Sequence, residues 1–248
     1  MDRKRLLECI AADAARLREV AGWDLAAPVP TCPDWTVADL VRHVANGYLK
    51  VVVRRLRLPE DRPVQDLTGE QPIAALDRCY AALIKEFERR SDDDQVAGGP
   101  ETVRFWIRRM AQETAIHRVD AELAVGAPMT PIPEDLGADG VGEMLWLFLE
   151  HETHTWPETD ADYLVDWGRR SLLVSAGPAA WRITLRTDGA KVNPPGDDDR
   201  ADATIAGEPA AVLLWLYNRR GDDAVEAEGD TEMIGQFRRL LATGTSIN

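Results

Sequence analysis

The sequence predicts two architectures in one chain: a helical bundle over residues 1–157, then a small α+β domain over residues 158–248. Three observations carry this. Apolar residues recur at three- and four-residue intervals through the first part, as on one face of an α-helix. After Pro157 that period gives way to short β-type runs and turn signals. The 248 residues, 45% hydrophobic and 29% charged, are enough for two compact cores.

The elements follow in chain order. Leu6, Leu7, Ile10, Ala14, Leu17 and Ala21 mark a first helix that Gly22 ends. Pro28, Pro30 and Pro33 exclude helix in the next stretch, and Thr36-Val37-Ala38-Asp39 then offers a capping-box-like start for a second. Asp stands there for the usual Glu or Gln, and the helix should reach about Arg57. A third begins near Pro72, a tolerated first-turn proline, and carries Leu76, Tyr80, Leu83, Ile84 and Phe87. The breakers Ser91-Asp92-Asp93-Asp94 and Gly98-Gly99-Pro100 stop it. A fourth covers 102–125, with Gly126 and Pro128 as stop signals, and a fifth apolar segment covers 141–152. Leu172-Leu173-Val174, Trp181-Arg182-Ile183-Thr184-Leu185 and Ala203-Thr204-Ile205 are strand candidates. Thr187-Asp188-Gly189-Ala190 reads as a hairpin turn. Helices are expected over 209–218 and 231–241, with Val225 in a short strand between them and the domain boundary near 155–168.

Charge narrows the function classes. A net charge of −14 and a sequence pI near 4.7, with both halves acidic, repel nucleic-acid phosphates and anionic lipid surfaces, so neither is expected as a partner. Glu8, Asp13 and Arg16 interrupt the first apolar stretch, which leaves no signal-peptide core. Purely apolar runs such as Met144 to Leu149 are far shorter than the roughly 20 residues a membrane-spanning helix needs. The odd cysteine count, Cys9, Cys32 and Cys79, without C-x-x-C spacing, fits a reducing, cytoplasmic location.

The fourth helix carries the chemistry. Val103, Trp106, Met110, Glu113, His117, Ala121 and Ala124 fall on one stripe, and Glu113 and His117 interrupt its apolar character. Four residues apart, they lie one above the other and can grip one ion. The same spacing also fits a simple Glu–His hydrogen bond or a stripe turned toward solvent. His43, beside the positions Leu40, Val44 and Gly47 of the second helix, is a candidate third ligand. Two imidazoles and one carboxylate suit Zn²⁺, Fe²⁺ or Ni²⁺ and leave open positions for water or substrate. Asp120, three residues after His117, is placed either to orient that imidazole or to sit as a solvated helix carboxylate.

At this point the sequence becomes recognisable. Cys32-Pro33-Asp34-Trp35-Thr36-Val37-Ala38-Asp39-Leu40-Val41-Arg42-His43 resembles the first signature of the mycothiol-dependent maleylpyruvate isomerase family, a branch of the DinB-like metal-binding bundles. Glu113-x-x-x-His117-Arg118-x-Asp120-Ala121 resembles the second. Ala201-Asp202-Ala203-Thr204-Ile205, Leu213-Leu214-Trp215-Leu216-Tyr217-Asn218-Arg219 and Glu228-Gly229-Asp230 look like its sterol-carrier-like C-terminal domain. The resemblance spans nearly the whole chain and implies an up-and-down bundle followed by that small domain. It implies zinc, or another divalent metal, on His43, Glu113 and His117, and mycothiol as the thiol cofactor. It implies a mechanism in which a thiol on the metal is deprotonated, attacks an electrophile, and ends in cis–trans isomerisation or thiol transfer. The family usually has Gly where this chain has Asn218; Arg219 stands at its motif position and is the candidate catalytic clamp for a carboxylate. Asp120 is the other catalytic candidate, acting on His117.

The remaining conspicuous residues get structural readings. His151 and His154 read as a solvated helix end, and Cys32 as a packed cysteine. Trp35, Trp106 and Trp146 read as core anchors. The leading function is a mycothiol-dependent, zinc-using isomerase or S-transferase acting on a small anionic electrophile. The competing readings are a metal-dependent hydrolase on the same bundle, with metal-bound water in place of the thiol, and a non-catalytic regulatory protein with a structural ion.

Overall fold

The computed structural model describes residues 1–56, 64–156, 162, 164–196 and 200–244. It divides into two compact units, Met1–Thr130 and Pro131–Asn248.

In the first unit, α1 (Arg3–Ala21) starts at Asp2, whose side chain accepts from the Arg5 amide, and buries Leu6, Ile10, Leu17 and Val20. The expected capping box opens α2 (Val37–Lys50): the Asp39 amide donates to Thr36 Oγ1 at 3.3 Å, and the Thr36 amide donates to Asp39 Oδ2 at 3.0 Å. The helix runs on as π-turns over Val51–Leu56, and its expected end at Arg57 lies outside the described residues. Gln71 caps α3 (Pro72–Glu88). Thr102 caps α4 (Val103–Val125), which ends on Gly126 at φ 67°, a left-handed position that glycine takes without steric cost.

The fourth helix is central to this unit. From Met110 to Glu122 it is buried on several faces, so its polar residues must find partners inside. Arg118, fully buried, donates from Nε to Asp13 Oδ1 at 3.0 Å and from Nη1 to Glu122 Oε2 at 2.7 Å. Arg16 donates to Glu122 Oε1 at 2.9 Å, and the Thr130 hydroxyl donates to the same oxygen at 2.6 Å. This network ties α1 to α4 and fixes the rotation of the helix that carries Glu113 and His117. The first-helix stripe had contained Asp13 as an interruption, and its role is to meet this arginine.

The second unit holds a mixed five-stranded sheet made of β1 (Leu172–Ala176), β2 (Ala179–Arg186), β3 (Gly189–Asn193), β4 (Ala203–Gly207) and β5 (Glu226–Gly229). The order is β3-β2-β1-β4-β5; β1 and β4 are parallel and the other neighbours antiparallel. The expected hairpin turn joins β2 to β3. Val225 ends a 3₁₀ turn just before β5. Around the sheet lie α5 (Glu134–Glu143), continued by π-turns over Met144–His151 and by the short α6 (Glu152–Thr155), together with α7 (Pro209–Leu216) and α8 (Thr231–Gly244). The architecture is therefore α plus α+β, as the sequence predicts.

Two features differ from the sequence reading. The division falls at Thr130/Pro131, where periodicity placed it near 155–168. The fifth helical segment belongs with the sheet: Gly137 abuts Pro209 and Ala210 so closely that a Cβ would come within 2.9 Å of the Ala210 amide nitrogen. The Ala190 amide also donates to Thr153 Oγ1 at 3.0 Å, and the Val192 amide to Glu150 Oε2 at 3.1 Å. Hydrophobic periodicity shows that a helix has a buried face but not what covers it. The second difference is Trp146, which is 56% exposed; the buried indoles are those of Trp167 and Trp215. Among the described residues, no helix is long and apolar enough to cross a membrane.

Candidate metal centre

The candidate residues of the first unit come together. His43 on α2 and His117 on α4 both point Nε2 at one oxygen of Glu113, Oε1, at 3.2 and 3.1 Å. Their rings stand edge to face with centroids 4.9 Å apart. Among the described residues these three are a group whose ligand atoms all lie within 4.8 Å of one another. Metal–ligand bonds of about 2.0–2.2 Å put two ligand atoms of a tetrahedral ion on the order of 3.3 Å apart, which these contacts approach. The donor set and its spacing therefore fit a divalent ion.

Each donor is held from behind. Asp120 Oδ2 lies 3.0 Å from His117 Nδ1, and its other oxygen accepts from the Thr31 hydroxyl at 2.5 Å. With a proton on Nδ1, the Nε2 lone pair of His117 faces the cluster, the tautomer a metal ligand needs. Arg109, four residues before Glu113 on the same helix face, donates to Glu113 Oε2 and leaves Oε1 to the two imidazoles. Trp35 packs on the His43 ring with centroids 4.9 Å apart. Its sequence role as a core anchor is thus replaced by a place in the wall of the site.

The charges are strongly coupled. Burial would raise the Glu113 carboxyl, but the charges of Arg109 and His117, with hydrogen bonds from both histidines, hold it well below the usual carboxylate range. Burial would likewise lower the His117 imidazole; Glu113 and Asp120 overcome it and push the pKa up to about 9. Without a cation, a protonated His117 adds its charge to that of Arg109 beside Glu113 and Asp120.

Access is one-sided. The side chain of His43 is 33% exposed, against 14% for Glu113 and 5% for His117. A cavity of about 500 Å³ opens at His43, with Trp35, Arg42 and Asn46 in its wall. Sequence reasoning missed Arg109, Thr31 and the wall. The i, i+4 spacing of Arg109 and Glu113 was available as a signal, whereas nothing periodic marks Thr31.

Arg219 lies in the second unit, just after α7. Its guanidinium donates to the Tyr217 carbonyl at 2.7 Å and stands 5.8 Å from the Tyr217 ring centroid. The preceding Asn218 has φ 57°, a left-handed conformation that glycine takes freely and asparagine tolerates. His151 and His154 are exposed at the end of the fifth helical segment, as expected of a solvated terminus, and all three cysteines are buried and outside any disulfide.

Comparisons with known proteins place the family and the fold. Residues 6–122 match the model of the mycothiol maleylpyruvate isomerase N-terminal domain, and residues 149–236 that of the corresponding C-terminal domain. A crystal structure of the mycothiol-dependent maleylpyruvate isomerase shares the fold at 16% identity and a TM-score of 0.58, covering 93% of this chain and 95% of that one. A histidine-to-alanine mutant of that enzyme aligns over the same shares at 16% identity and a TM-score of 0.55. No curated protein matches the chain.

Proposed function

The chain belongs to the mycothiol maleylpyruvate isomerase family, and from that premise we propose that it is a thiol-using enzyme whose His43, Glu113 and His117 hold one divalent ion, zinc first among the candidates. The observation that carries this is the convergence of two imidazole Nε2 atoms on one carboxylate oxygen at 3.2 and 3.1 Å. A divalent ion there would supply Lewis acidity, lowering the pKa of a bound thiol so that the nucleophilic thiolate exists near neutral pH.

The chain's own residues do the rest. Asp120 keeps the proton on His117 Nδ1, and Thr31 holds Asp120 in place. Arg109 neutralises the outer oxygen of Glu113, so the carboxylate is oriented before any ligand arrives. Asp120 is in this account a positioning residue for His117. Trp35 packs against the His43 ring and braces it. The substrate is a small anionic electrophile, and Arg219 is the residue proposed to bind its carboxylate. The outcome is isomerisation or thiol transfer to that electrophile.

Metal analysis and cobalt spectroscopy test this together. Protein purified without chelator should carry close to one divalent ion per chain, and His117→Ala should lose it. In the cobalt-substituted protein, mycothiol should produce a sulfur-to-metal charge-transfer band that Cys32→Ser and Cys79→Ser leave intact. An ion retained in both His43→Ala and His117→Ala would overturn the ligand set; the absence of any spectral response to mycothiol would overturn the thiol.

A further inference from the structure

The second unit holds a cavity that the thiol reading does not use. It measures about 480 Å³, within the range of small-molecule sites, and Trp146, Glu150, His151, His154 and Val192 line it. The helical segment over Met144–His151 is wound in π-turns, whose hydrogen bonds join residues five apart, so Trp146 and His151 come round to one side. Trp156 meets the His151 ring edge to face, with centroids 6.4 Å apart, and extends the aromatic surface. Both indoles are about half exposed, Trp146 at 56% and Trp156 at 51%.

Two polar side chains of the wall are fixed by their neighbours. The Val192 amide donates to Glu150 Oε2 at 3.1 Å, and among the described residues Oε1 is left as an open acceptor. His154 Nδ1 donates to the Glu150 carbonyl at 2.7 Å, so in the neutral ring Nε2 is the remaining acceptor. The same ring lies on the start of β3. A Cβ at Gly189, where φ is 137°, would come within 2.7 Å of it, so glycine leaves the imidazole its place.

Charge and reach then select the ligand. The wall contains a carboxylate and neither lysine nor arginine, so an anion finds no partner in it. A bare metal ion is poorly served as well. Among the described residues Glu150, His151 and His154 do not form a group whose ligand atoms lie within 4.8 Å of one another. A peptide strand is blocked at the β3 edge, because Thr153 and Glu150 occupy the Ala190 and Val192 amides. A cation larger than a metal ion, with N–H donors and an apolar body, meets none of these obstacles. Its N–H groups would form charge-assisted bonds to the carboxylate, and an indole face attracts both its charge and its body.

We propose that this cavity binds a small protonated amine with a ring-bearing apolar body, the ammonium donating to Glu150 and the body lying against Trp146. The net charge of −14 favours the approach of such a cation. The proposal depends neither on the thiol chemistry nor on the ion of the first unit.

Calorimetry on the full chain tests it with phenethylamine, with phenethyl alcohol as the same body without the charge, and with zinc chloride as a bare ion. The amine should bind at least about tenfold more tightly than the alcohol, the difference being a charge-assisted hydrogen bond. Glu150→Gln keeps an acceptor for the Val192 amide; it should weaken the amine about tenfold and leave the alcohol unchanged. Trp146→Ala, at an exposed position, should weaken the amine about threefold or more. Equal affinities for amine and alcohol, or no binding of the amine at millimolar concentration, would overturn the proposal. Amine binding that survives Glu150→Gln but disappears in His117→Ala would overturn it too, by placing the amine at the metal centre. So would a second equivalent of zinc that is lost in His151→Ala and His154→Ala, since the cavity would then take an ion.

Discussion

The proton on His117 sets a cost on ion binding that can be measured. In the metal-free protein, Glu113 and Asp120 push this imidazole up to about 9. Its folded value is above the unfolded one of about 6.5, so its stabilising contribution is complete below that pH and is lost as pH rises through about 9. Ion binding runs the other way, because the ligand must be neutral imidazole. At pH 7 the proton must be displaced across about two pH units, a cost of about 2.7 kcal/mol or a hundredfold in affinity. The apparent affinity for zinc or cobalt should therefore improve about tenfold per pH unit between about 7 and 8.5, and level off above about 9. Chelator-competition titrations give the slope, and calorimetry in two buffers of different protonation enthalpy gives the proton released from His117. Asp120→Asn should move the break to lower pH, since one of the two carboxylates that hold the proton is gone. It should also cost about tenfold in affinity at high pH, where only orientation remains. An affinity independent of pH from 7 to 8.5, with no proton released, would show that His117 is neutral in the free protein and that the pairing with Glu113 and Asp120 has been misread.

Other perturbations follow from the same contacts. Arg118→Ala should lower the stability of the protein by about 3–5 kcal/mol in chemical denaturation, because Asp13 would be left as a buried carboxylate without its guanidinium and Glu122 would keep only that of Arg16. Gly126→Ala should cost about 1 kcal/mol, since φ 67° disfavours any Cβ, and the open space around that position removes steric clash as another cause. Arg219→Ala should raise KM for an anionic substrate about tenfold or more while metal content stays at the wild-type value; an equal loss with uncharged electrophiles would remove its role as a carboxylate clamp.

What was legible in the sequence, and what was not, has a physical pattern. The starts of α2 and α3 and the end of α4 were readable because caps and stops are local: Thr36 with Asp39, Pro72 and Gly126 act within one turn. Glu113 and His117 were readable because a charged pair on an apolar stripe violates the period that surrounds it. His43 needed a second helix, and what made it a candidate was a motif together with an apolar neighbourhood. Arg118 shows where such reading ends. It is as polar as any surface residue, it sits next to His117, and nothing within four residues says that it is fully buried. Its burial follows from Asp13, 105 positions away, on a helix whose own stripe looked only slightly flawed. The two flaws, an acid on α1 and a base on α4, each looked tolerable on a solvated face and make sense only as a pair. Polar interruptions of separate apolar stripes are then best read jointly, by asking which of them neutralise one another and which are left over. Here Asp13 and Glu122 are matched by Arg118 and Arg16, Glu113 by Arg109 and by the Nε2 proton of His117, and Asp120 by the Nδ1 proton of the same ring. A cation that enters must displace the Nε2 proton, while the Nδ1 proton stays with Asp120.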